Sequence, residues 1–346
     1  MKCKAAILVE CHAPLVVDDI EIPSSLDYGQ VLVEIHFSGV CASQVHEIEA
    51  RKGPDAHLPH LLGHEGSGTV VAIGHGVSTV VVGDHVVLHW RPGSGVQSPN
   101  PHYSWGQIVV NAGSVTTFNS HAVVSENRVT RIPRDFDLRL APLLGCSVTT
   151  AFGAIGNDAS LKVGESVVVF GVGGVGLAAV MAAALTSAYP IVAVDIDDAK
   201  LEISKSIGAT HVLSNVNPDR AADDLRGVLG QHGADVVIET TGLSRVISLA
   251  YDLTGSQGRT ILVGVPDPSD PASIRTLPLH FGKVLTGSHG GGAQPHRDIP
   301  RLIRLVEAGK LNLGLLPVTE HALADVNEAV HLLKAGAPGR QLIRMT

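Results

Sequence analysis

Two cysteines and one histidine are the side chains of this chain best suited to hold a metal ion. Cys41 lies in GVCASQVHE after a Val/Ile-rich run, His64 begins the segment HEGSG, and Cys146 lies in LLGCSVTTAFGA. Two thiolates and one imidazole suit tetrahedral Zn²⁺ and leave a fourth position for water or a substrate. The intervals between the three residues are long, and buried free cysteines are commonly inert. Spacing alone therefore leaves open both a zinc site and a purely structural role.

A glycine-rich turn predicts a second site, for a dinucleotide. Residues 171–176 read GVGGVG and match the pattern G-x-G-x-x-G, directly after the apolar run 166–170 and before an apolar helical segment. In such a turn the first glycine makes the tight bend, the second lets the backbone approach a pyrophosphate, and the third lets the helix pack closely on the strand. The pyrophosphate then meets free N–H groups at the helix N-terminus. The expected cofactor contacts are Gly171, Gly173, Gly174, Val175 and Gly176.

Asp195 indicates which dinucleotide would bind. It ends the next predicted strand, PIVAVD, 19 residues after Gly176. A carboxylate at that point accepts hydrogen bonds from both hydroxyls of the adenosine ribose and repels a 2′-phosphate. No arginine lies among residues 196–198, so the pattern favours NAD over NADP. The alternative is a glycine turn of a βαβ unit that binds nothing.

The elements that must position these residues follow two patterns. Up to about residue 140, Val/Ile runs punctuated by glycine predict an antiparallel, barrel-like domain, with HAVVSENRVTRIP as one further strand. From residue 147 onward strands and helices alternate, which predicts right-handed βαβ crossovers and a parallel sheet. The expected architecture is α/β, with a strand-rich domain of residues 1–146 and 288–346 and a doubly wound, Rossmann-type domain of residues 147–287.

Composition narrows the class of function. The 346 residues include 25 Lys plus Arg and 33 Asp plus Glu, a net charge of −8, which argues against nucleic acid as a partner. A hydrophobic share of 45% supplies a sizeable core and excludes general disorder. The uncharged run 166–194 is long enough to span a bilayer, but its glycines and Pro190 predict a buried strand, turn and helix instead. The four scattered cysteines and the lack of a signal-peptide core indicate the cytoplasm.

Several segments together resemble the zinc-dependent medium-chain alcohol dehydrogenase/reductase family. They are, in chain order, GVCASQVHE, GHEGSGTVVAIG, Gly83-Asp84, GCSVTTAFGA, GVGGVG and VDIDDAKLE. The resemblance implies a GroES-like catalytic domain, a Rossmann domain, and hydride transfer between a small-molecule alcohol and NAD to give the aldehyde or ketone. It implies that Cys41, His64 and Cys146 hold a catalytic zinc, which acts as a Lewis acid on the substrate oxygen. Glu65 would tune this site or transiently ligate the metal.

The same resemblance assigns a proton relay and further cofactor contacts. Ser43 would take the proton from the substrate oxygen, and the nicotinamide ribose would hand it to His46 at the surface. Lys200 matches a family lysine near the adenosine ribose, Arg340 an arginine near the pyrophosphate, and Thr150 a residue near the nicotinamide. Taken in isolation, Ser43 is better interpreted as a turn residue and His46 as a solvated one, and Arg340 is interpreted equally well as a solvated helix-end charge.

The chain departs from the family in two segments. Many relatives carry a structural zinc on four cysteines after the Gly83-Asp84 strand, whereas residues 91–113 here contain no cysteine. We therefore expect one zinc per chain and no structural zinc, and because that lobe often helps subunits associate, both a homodimer and a homotetramer stay open. After Cys41 the family often has a histidine or arginine and, two residues further on, an aspartate. Here Ala42 and Gln44 stand instead, so phosphate binding is expected to be weaker or supplied elsewhere.

The substrate pocket is the part that the sequence determines least. Trp90 resembles a tryptophan that narrows the pocket of yeast-like alcohol dehydrogenases, although it is interpreted equally well as a core or interface aromatic. Phe118 is a second candidate for the pocket lining. Extra histidines such as His57, together with Arg51 or Arg91, suit a polar or anionic substrate, such as a sugar or polyol. Two other functions compete. A zinc-independent quinone or enoyl reductase of the same superfamily usually lacks the Cys/His/Cys set, and a non-catalytic dinucleotide-binding protein needs no proton relay.

Overall fold

The computed structural model describes residues 1–51, 53–214 and 218–345, and the chain divides into two compact units. Unit 1 comprises Met1–Cys146, Gln294–Arg304 and Pro317–Thr346, and unit 2 comprises Ser147–Ala293 and Leu305–Leu316. The chain therefore leaves unit 1 directly after Cys146. It returns to unit 1 after Ala293, whereas the sequence predicts the return at residue 288, and residues 305–316 belong to unit 2 again.

Unit 1 is mostly β-structure. Its strands are β1 (Lys2–Leu8), β2 (Val16–Glu21), β3 (Gln30–Gly39), β4 (His60–Leu61), β5 (Glu65–Ile73), β6 (His85–His89), β7 (His102–Trp105), β8 (Ile108–Asn111), β9 (His121–Ser125), β10 (Val129–Ile132), β17 (Val318–Ala322) and β18 (Arg340–Arg344). Its helices are α1 (Ala42–Ile48) and α8 (Val326–Lys334), and α7 (Pro295–Glu307) belongs to it as far as Arg304.

Two sheets organise these strands. Strands β1, β2, β7, β8 and β4 close a small barrel in that order, and a seven-stranded sheet runs β10-β6-β5-β3-β18-β17, with β9 also pairing with β3. Neighbouring strands are antiparallel except in the pairs β4–β8 and β17–β18. The predicted antiparallel, barrel-like domain is confirmed. The single strand predicted at HAVVSENRVTRIP is wrong in detail, because a 3₁₀ turn at Glu126–Arg128 divides it into β9 and β10.

The cores of unit 1 are mainly aliphatic. Alternate residues of β1, such as Ala5 and Ile7, pack with Ile20 and Tyr103 in one apolar cluster. A second cluster gathers Val and Ile side chains of β3, β5, β6 and β9. Because successive side chains of a strand point to opposite faces, Ala6 and Leu8 of β1 lie in a third cluster.

Unit 2 is a parallel sheet with helices, and the predicted βαβ pattern is confirmed. Its strands β11 (Val167–Phe170), β12 (Ile191–Asp195), β13 (His211–Ser214), β14 (Ala234–Glu239), β15 (Thr254–Leu262) and β16 (Val284–Gly287) lie in the order β13-β12-β11-β14-β15-β16, all parallel to their neighbours. Its helices are α2 (Ser147–Gly153), α3 (Gly174–Leu185), α4 (Asp198–Ser206), α5 (Pro218–Leu229) and α6 (Ser244–Leu253). The reversal of strand order on either side of β11 is typical of doubly wound folds.

The long uncharged run forms β11, the glycine turn, α3 and β12. Residues 176–183 of α3 are all buried, so this helix is apolar all round because it lies inside unit 2. In the described part of the chain, no helix combines the length and the apolar character needed to cross a membrane.

Candidate metal and dinucleotide sites

Cys41 is held between a strand and a helix of unit 1. Strand β3 ends at Gly39, and Cys41 is the extended residue before the first turn of α1, with φ −119° and ψ 153°. The backbone N–H of Val40 donates to the carbonyl of Gln341 at 2.9 Å, which ties the segment to β18. The backbone N–H of Cys41 donates to Oε1 of Gln44, the third residue of α1, at 2.8 Å. Both contacts hold the backbone at Cys41, from which its side chain projects.

His64 approaches Cys41 because of the register of the sheet. It directly precedes β5, whose residue Gly66 lies opposite Ser38 near the end of β3. The end of β3 and the beginning of β5 therefore meet, although Cys41 and His64 are separated by 22 residues of chain.

Cys146 reaches the same place from a third direction. It follows a 3₁₀ turn at Ala141–Gly145 and is 7% exposed. Gly145 makes the close approach: a Cβ on this residue would lie 2.4 Å from the carbonyl oxygen of Leu88 and 3.0 Å from Cβ of Glu65. A side chain at position 145 would push Cys146 away from β5 and β6.

The three predicted ligands converge. One candidate ligand atom each from Cys41, His64 and Cys146 lies within 4.8 Å of the others. The pKa of the Cys41 thiol is lowered well below its usual range, first by a hydrogen bond with Cys146 and then by His64 and the charge of Arg340, against the opposing effect of burial. The thiolate is the form that binds metals. Two sulfurs and one imidazole at this spacing fit Zn²⁺ in a site that keeps a fourth position free.

Glu65 and Arg340 form a buried ion pair beside these ligands. The Glu65 carboxylate contacts Nη2 of Arg340, and the two side chains are 0% and 5% exposed. Burial lowers the pKa of Arg340, and the nearby Cys41 opposes that change. The resemblance predicts that Glu65 acts at the metal and that Arg340 contacts the pyrophosphate. The structure brings the two together inside unit 1, a contact between residues 275 positions apart that no local pattern indicates.

Helix α1 carries the predicted relay residues. Oγ of Ser43 lies 3.3 Å from Nδ1 of His64, and Nε2 of Gln44 contacts the same nitrogen. His46 is half-buried in the last turn of the helix. Residues three apart on a helix share a face, so Ser43 and His46 lie on the same side of α1. Sequence reasoning found both relay candidates but missed the contact between Gln44 and His64.

A polar cavity of about 600 Å³ lies beside His64 within unit 1. Its polar lining includes His46, Glu47, Asp55, His57, His60, Asn100, His102 and Asn111. Asp55 organises one wall, because its two oxygens accept from the N–H of His57 at 2.8 Å and from the ring of His60 at 2.9 Å. Burial alone would raise the pKa of Asp55, but these two contacts lower it. The high histidine count of the sequence was the available signal for this cavity.

The two aromatic pocket candidates have different surroundings. Trp90 follows β6 and is half-buried, with the guanidinium of Arg91 5.6 Å from the centre of its ring. Phe118 has no exposed surface and packs with Ala6, Leu8 and Val40 in an apolar cluster of unit 1. Its position is that of a core residue.

The glycine turn of unit 2 has the predicted form. Gly171 has φ +81°, a backbone conformation that favours glycine. A Cβ on Gly176 would lie 1.9 Å from the carbonyl oxygen of Gly171, so this glycine permits the close packing of α3 on the strand. A Cβ on Gly173 would meet nothing within 4 Å, which leaves the space that a pyrophosphate needs. Gly174 and Val175 form the first turn of α3.

Asp195 ends β12 next to this turn. One of its oxygens accepts from the N–H of Val172 at 2.7 Å, and the other accepts from the N–H groups of Ile196 and Asp197. Lys200 lies in the first turn of α4, half-buried, and Thr150 is 7% exposed in α2. The structure thus places Asp195 against the glycine turn, and it leaves the predicted cofactor contacts of Lys200 and Thr150 as predictions.

Comparison with known families and proteins supports the resemblance to zinc-dependent alcohol dehydrogenases. The family model described as an alcohol dehydrogenase GroES-like domain matches residues 27–134, and the one described as a zinc-binding dehydrogenase matches residues 174–308. Among curated proteins, the chain is 30% identical to S-(hydroxymethyl)glutathione dehydrogenase of Synechocystis sp., covering 99% of this chain and 100% of the relative. The enzyme of the same name from Haemophilus influenzae is 31% identical over 99% of this chain and 97% of its own.

Solved structures give a similar result. A benzyl alcohol dehydrogenase from Acinetobacter calcoaceticus superposes with a TM-score of 0.89 at 29% identity, covering 100% of both chains. An alcohol dehydrogenase zinc-binding domain protein from Burkholderia ambifaria gives a TM-score of 0.91 at 27% identity, covering 100% of this chain and 99% of its own. The likeness therefore extends over both units.

Proposed function

This chain belongs to the zinc-type medium-chain alcohol dehydrogenase family, and we propose that it transfers a hydride between a polar alcohol and NAD. It is an oxidoreductase of the alcohol dehydrogenase type that uses zinc and NAD. The observation that carries the proposal is the convergence of Cys41, His64 and Cys146 to within 4.8 Å. A zinc-independent reductase or a dinucleotide-binding protein has no need of that donor set.

Each residue of the metal site and of helix α1 has a proposed role in the reaction. Bound at the three ligands, zinc supplies a Lewis acid for the substrate oxygen, and NAD supplies the hydride acceptor. Ser43, beside the ligand His64, would receive the hydroxyl proton of the substrate, and His46 on the same side of α1 would pass a proton to solvent. The Glu65–Arg340 pair next to Cys41 supports a role in tuning the electrostatics of the ligands.

The cofactor contacts of unit 2 follow from the glycine turn. The open space at Gly173 and the N–H groups at the start of α3 suit a pyrophosphate, and the carboxylate of Asp195 suits the ribose hydroxyls of NAD. Lys200 is proposed to lie near the same ribose and Thr150 near the nicotinamide. A phosphate contact of Arg340 would require this residue to share its guanidinium between the phosphate and Glu65.

The polar cavity supports a hydroxylated substrate. Its walls offer imidazoles and carboxamides as hydrogen-bonding groups, and no lysine or arginine is among the described residues that line it. The carboxylates of Glu47 and Asp55 would repel an anionic tail. We therefore propose a neutral sugar- or polyol-like alcohol, in contrast to the anionic glutathione adduct named for the curated relatives.

A substrate panel tests this function. With NAD, we expect xylitol and sorbitol to give a higher kcat/KM than benzyl alcohol and S-(hydroxymethyl)glutathione. Ser43→Ala should lower kcat by roughly 10²–10⁴-fold while NAD binding is kept, because a proton acceptor is removed. Retained alcohol turnover by metal-free protein would overturn the zinc mechanism. A preference for benzyl alcohol over both polyols would overturn only the choice of a polar substrate.

We also propose a cytoplasmic homo-oligomer, either a dimer or a tetramer. None of the four cysteines, all of which lie in the described residues, forms a disulfide, which suits a reducing compartment. Strand β16 is the last strand of the six-stranded sheet, and Leu277, Phe281 and Val284 on or before it are 68%, 68% and 40% exposed. A sheet edge with exposed apolar side chains suits pairing with a second copy.

A further inference from the structure

The side chain of Gln44 connects the beginning of helix α1 to the proposed ligand His64. It is 1% exposed. Its Oε1 accepts a hydrogen bond from the backbone N–H of Cys41 at 2.8 Å, which fixes the oxygen end of the amide toward the helix start. Its Nε2 therefore points the other way and contacts Nδ1 of His64. Because an amide nitrogen only donates, Nδ1 of His64 accepts in this arrangement.

In a histidine that binds a metal through Nε2, Nδ1 is a donor and no longer an acceptor. A neutral imidazole has one N–H and one lone pair. Since Gln44 and Ser43 both lie at Nδ1, the nitrogen left for the metal is Nε2. When Nε2 gives its lone pair to zinc, the ring proton is on Nδ1 and needs an acceptor. The NH₂ group of Gln44 is a donor and cannot serve.

Ser43 does not remove this conflict. Its Oγ lies 3.3 Å from Nδ1 and can accept from it. The NH₂ group of Gln44, however, would still face an N–H group of the ring at hydrogen-bond distance, so two donors would oppose each other. The amide of Gln44 therefore has to move, whether the Ser43 oxygen or its own oxygen accepts the hydrogen bond from Nδ1–H.

We propose that the amide of Gln44 inverts when zinc binds, so that its oxygen accepts from Nδ1–H of His64. Rotation about the last side-chain bond exchanges the two ends of the amide and hardly changes its shape. The inversion removes the acceptor of the Cys41 N–H, and helix α1 loses that capping hydrogen bond. Gln44 is thus a positioning residue that couples the metal ligands to the helix carrying Ser43 and His46. This inference rests on the proposed zinc centre.

A carboxylate at position 44 would abolish the conflict. Its two oxygens can accept from the Cys41 N–H and from the ring N–H at the same time. Gln44→Glu should therefore bind zinc roughly 10–100-fold more tightly than the wild type, and Gln44→Met, which lacks both hydrogen bonds, roughly 10–100-fold more weakly. Ala42→Glu is the matched control. It adds the same charge to the same helical turn on an exposed residue and should leave the zinc affinity within about threefold.

The experiment is a zinc competition between the full-length protein and a chromophoric chelator, together with hydrogen exchange of the peptide that contains Cys41. In the wild type, zinc loading should speed exchange of the Cys41 amide, and in Gln44→Glu it should not. Equal zinc affinities for the wild type and both Gln44 variants would overturn the inference, as would an equal gain in Ala42→Glu. If the Cys41→Ala variant binds zinc as tightly as the wild type, the proposed zinc centre itself fails, and the inference fails with it.

Discussion

Glu65 and Arg340 form an ion pair that is almost wholly removed from solvent. Each begins a strand, β5 and β18, and these strands are the two neighbours of the end of β3. Between them lies Gly39, where a Cβ would be 2.5 Å from Oε1 of Glu65. The pair is therefore built into the centre of the seven-stranded sheet, next to Cys41. At low dielectric, removing one partner leaves an uncompensated charge and strongly lowers the free energy of unfolding.

Removing either charge should destabilise the protein more than removing both. We expect Glu65→Gln and Arg340→Met each to lower the free energy of unfolding by about 3–5 kcal/mol, and the double variant to regain much of that loss. Urea denaturation of the four proteins measures this. Asp19→Asn, which removes one partner of the exposed pair with Lys4, is the control and should cost less than about 1 kcal/mol. A double variant that loses the sum of the two single effects would show that the charges act independently.

The zinc content should be about one ion per chain, because three protein ligands and an open position describe a single catalytic site. Elemental mass spectrometry of the purified protein measures it. Cys41→Ala and Cys146→Ala should lose the ion, whereas Cys11→Ala should keep it, since Cys11 is a free thiol outside the ligand group. Two ions per chain would contradict the expected absence of a structural zinc. A full ion in Cys41→Ala would exclude this residue as a ligand.

His89 should make the fold sensitive to acid. Burial lowers its pKa from 6.5 to about 4, with the Arg91 carbonyl opposing and the charge of Arg128 adding to the effect. Above pH 6.5 neither the folded nor the unfolded chain protonates this ring. Between pH 6.5 and about pH 4, His89 is protonated in the unfolded chain but not in the folded chain. The free energy of unfolding therefore falls by about 1.4 kcal/mol for each pH unit in this range.

The variant His89→Asn has no such titration. Relative to the variant, the wild type should therefore lose about 3 kcal/mol of unfolding free energy between pH 6.5 and pH 4. Urea denaturation at several pH values gives the difference, and any constant cost of the substitution cancels from its slope. The exposed His75 is the control, and His75→Asn should follow the wild-type profile. Parallel profiles for the wild type and His89→Asn would contradict the lowered pKa.

The sequence predicted unit 2 better than unit 1 because its signals are local. Strand β11, the glycine turn and α3 follow one another within residues 167–185, and each has its own pattern. The hairpin of β7 and β8 was missed, since two four-residue strands around a short turn show too little alternation to be recognised. Helix α1 was missed because seven residues hold barely two turns, too few for a helical period.

The candidate site was predicted in part. The ligands Cys41, His64 and Cys146 were identified by resemblance, and the register of β3 and β5 that brings the first two together cannot be read from spacing. The partner of Arg340 could not be predicted, because Glu65 lies 275 positions away. The two residues meet because their strands, β18 and β5, both pair with β3. The side chain of Gln44 was interpreted as a missing phosphate contact, whereas its orientation is set by the Cys41 N–H and by His64.

Two glycines of the dinucleotide turn should respond differently to the same substitution. Gly176→Ala puts a methyl group against the carbonyl of Gly171 and should lower the unfolding free energy by about 1–3 kcal/mol. Gly173→Ala meets nothing in the protein and should leave stability within about 0.5 kcal/mol, while NAD affinity falls because the methyl group occupies the pyrophosphate space. Urea denaturation and fluorescence titration with NAD separate the two effects. Unchanged NAD binding in Gly173→Ala would exclude the proposed position of the pyrophosphate.

Asp195 should determine the choice between NAD and NADP. Asp195→Asn keeps one of the two acceptor oxygens but removes the charge, so the ribose hydroxyls lose charge-assisted hydrogen bonds and a 2′-phosphate is no longer repelled. The ratio of kcat/KM for NAD to that for NADP should fall by roughly 10–100-fold. Asp198→Asn removes the same charge from an exposed residue three positions further on and should leave the ratio unchanged. If both variants shift the ratio equally, the preference comes from the general negative charge of this segment, and a specific contact of Asp195 with the ribose is excluded.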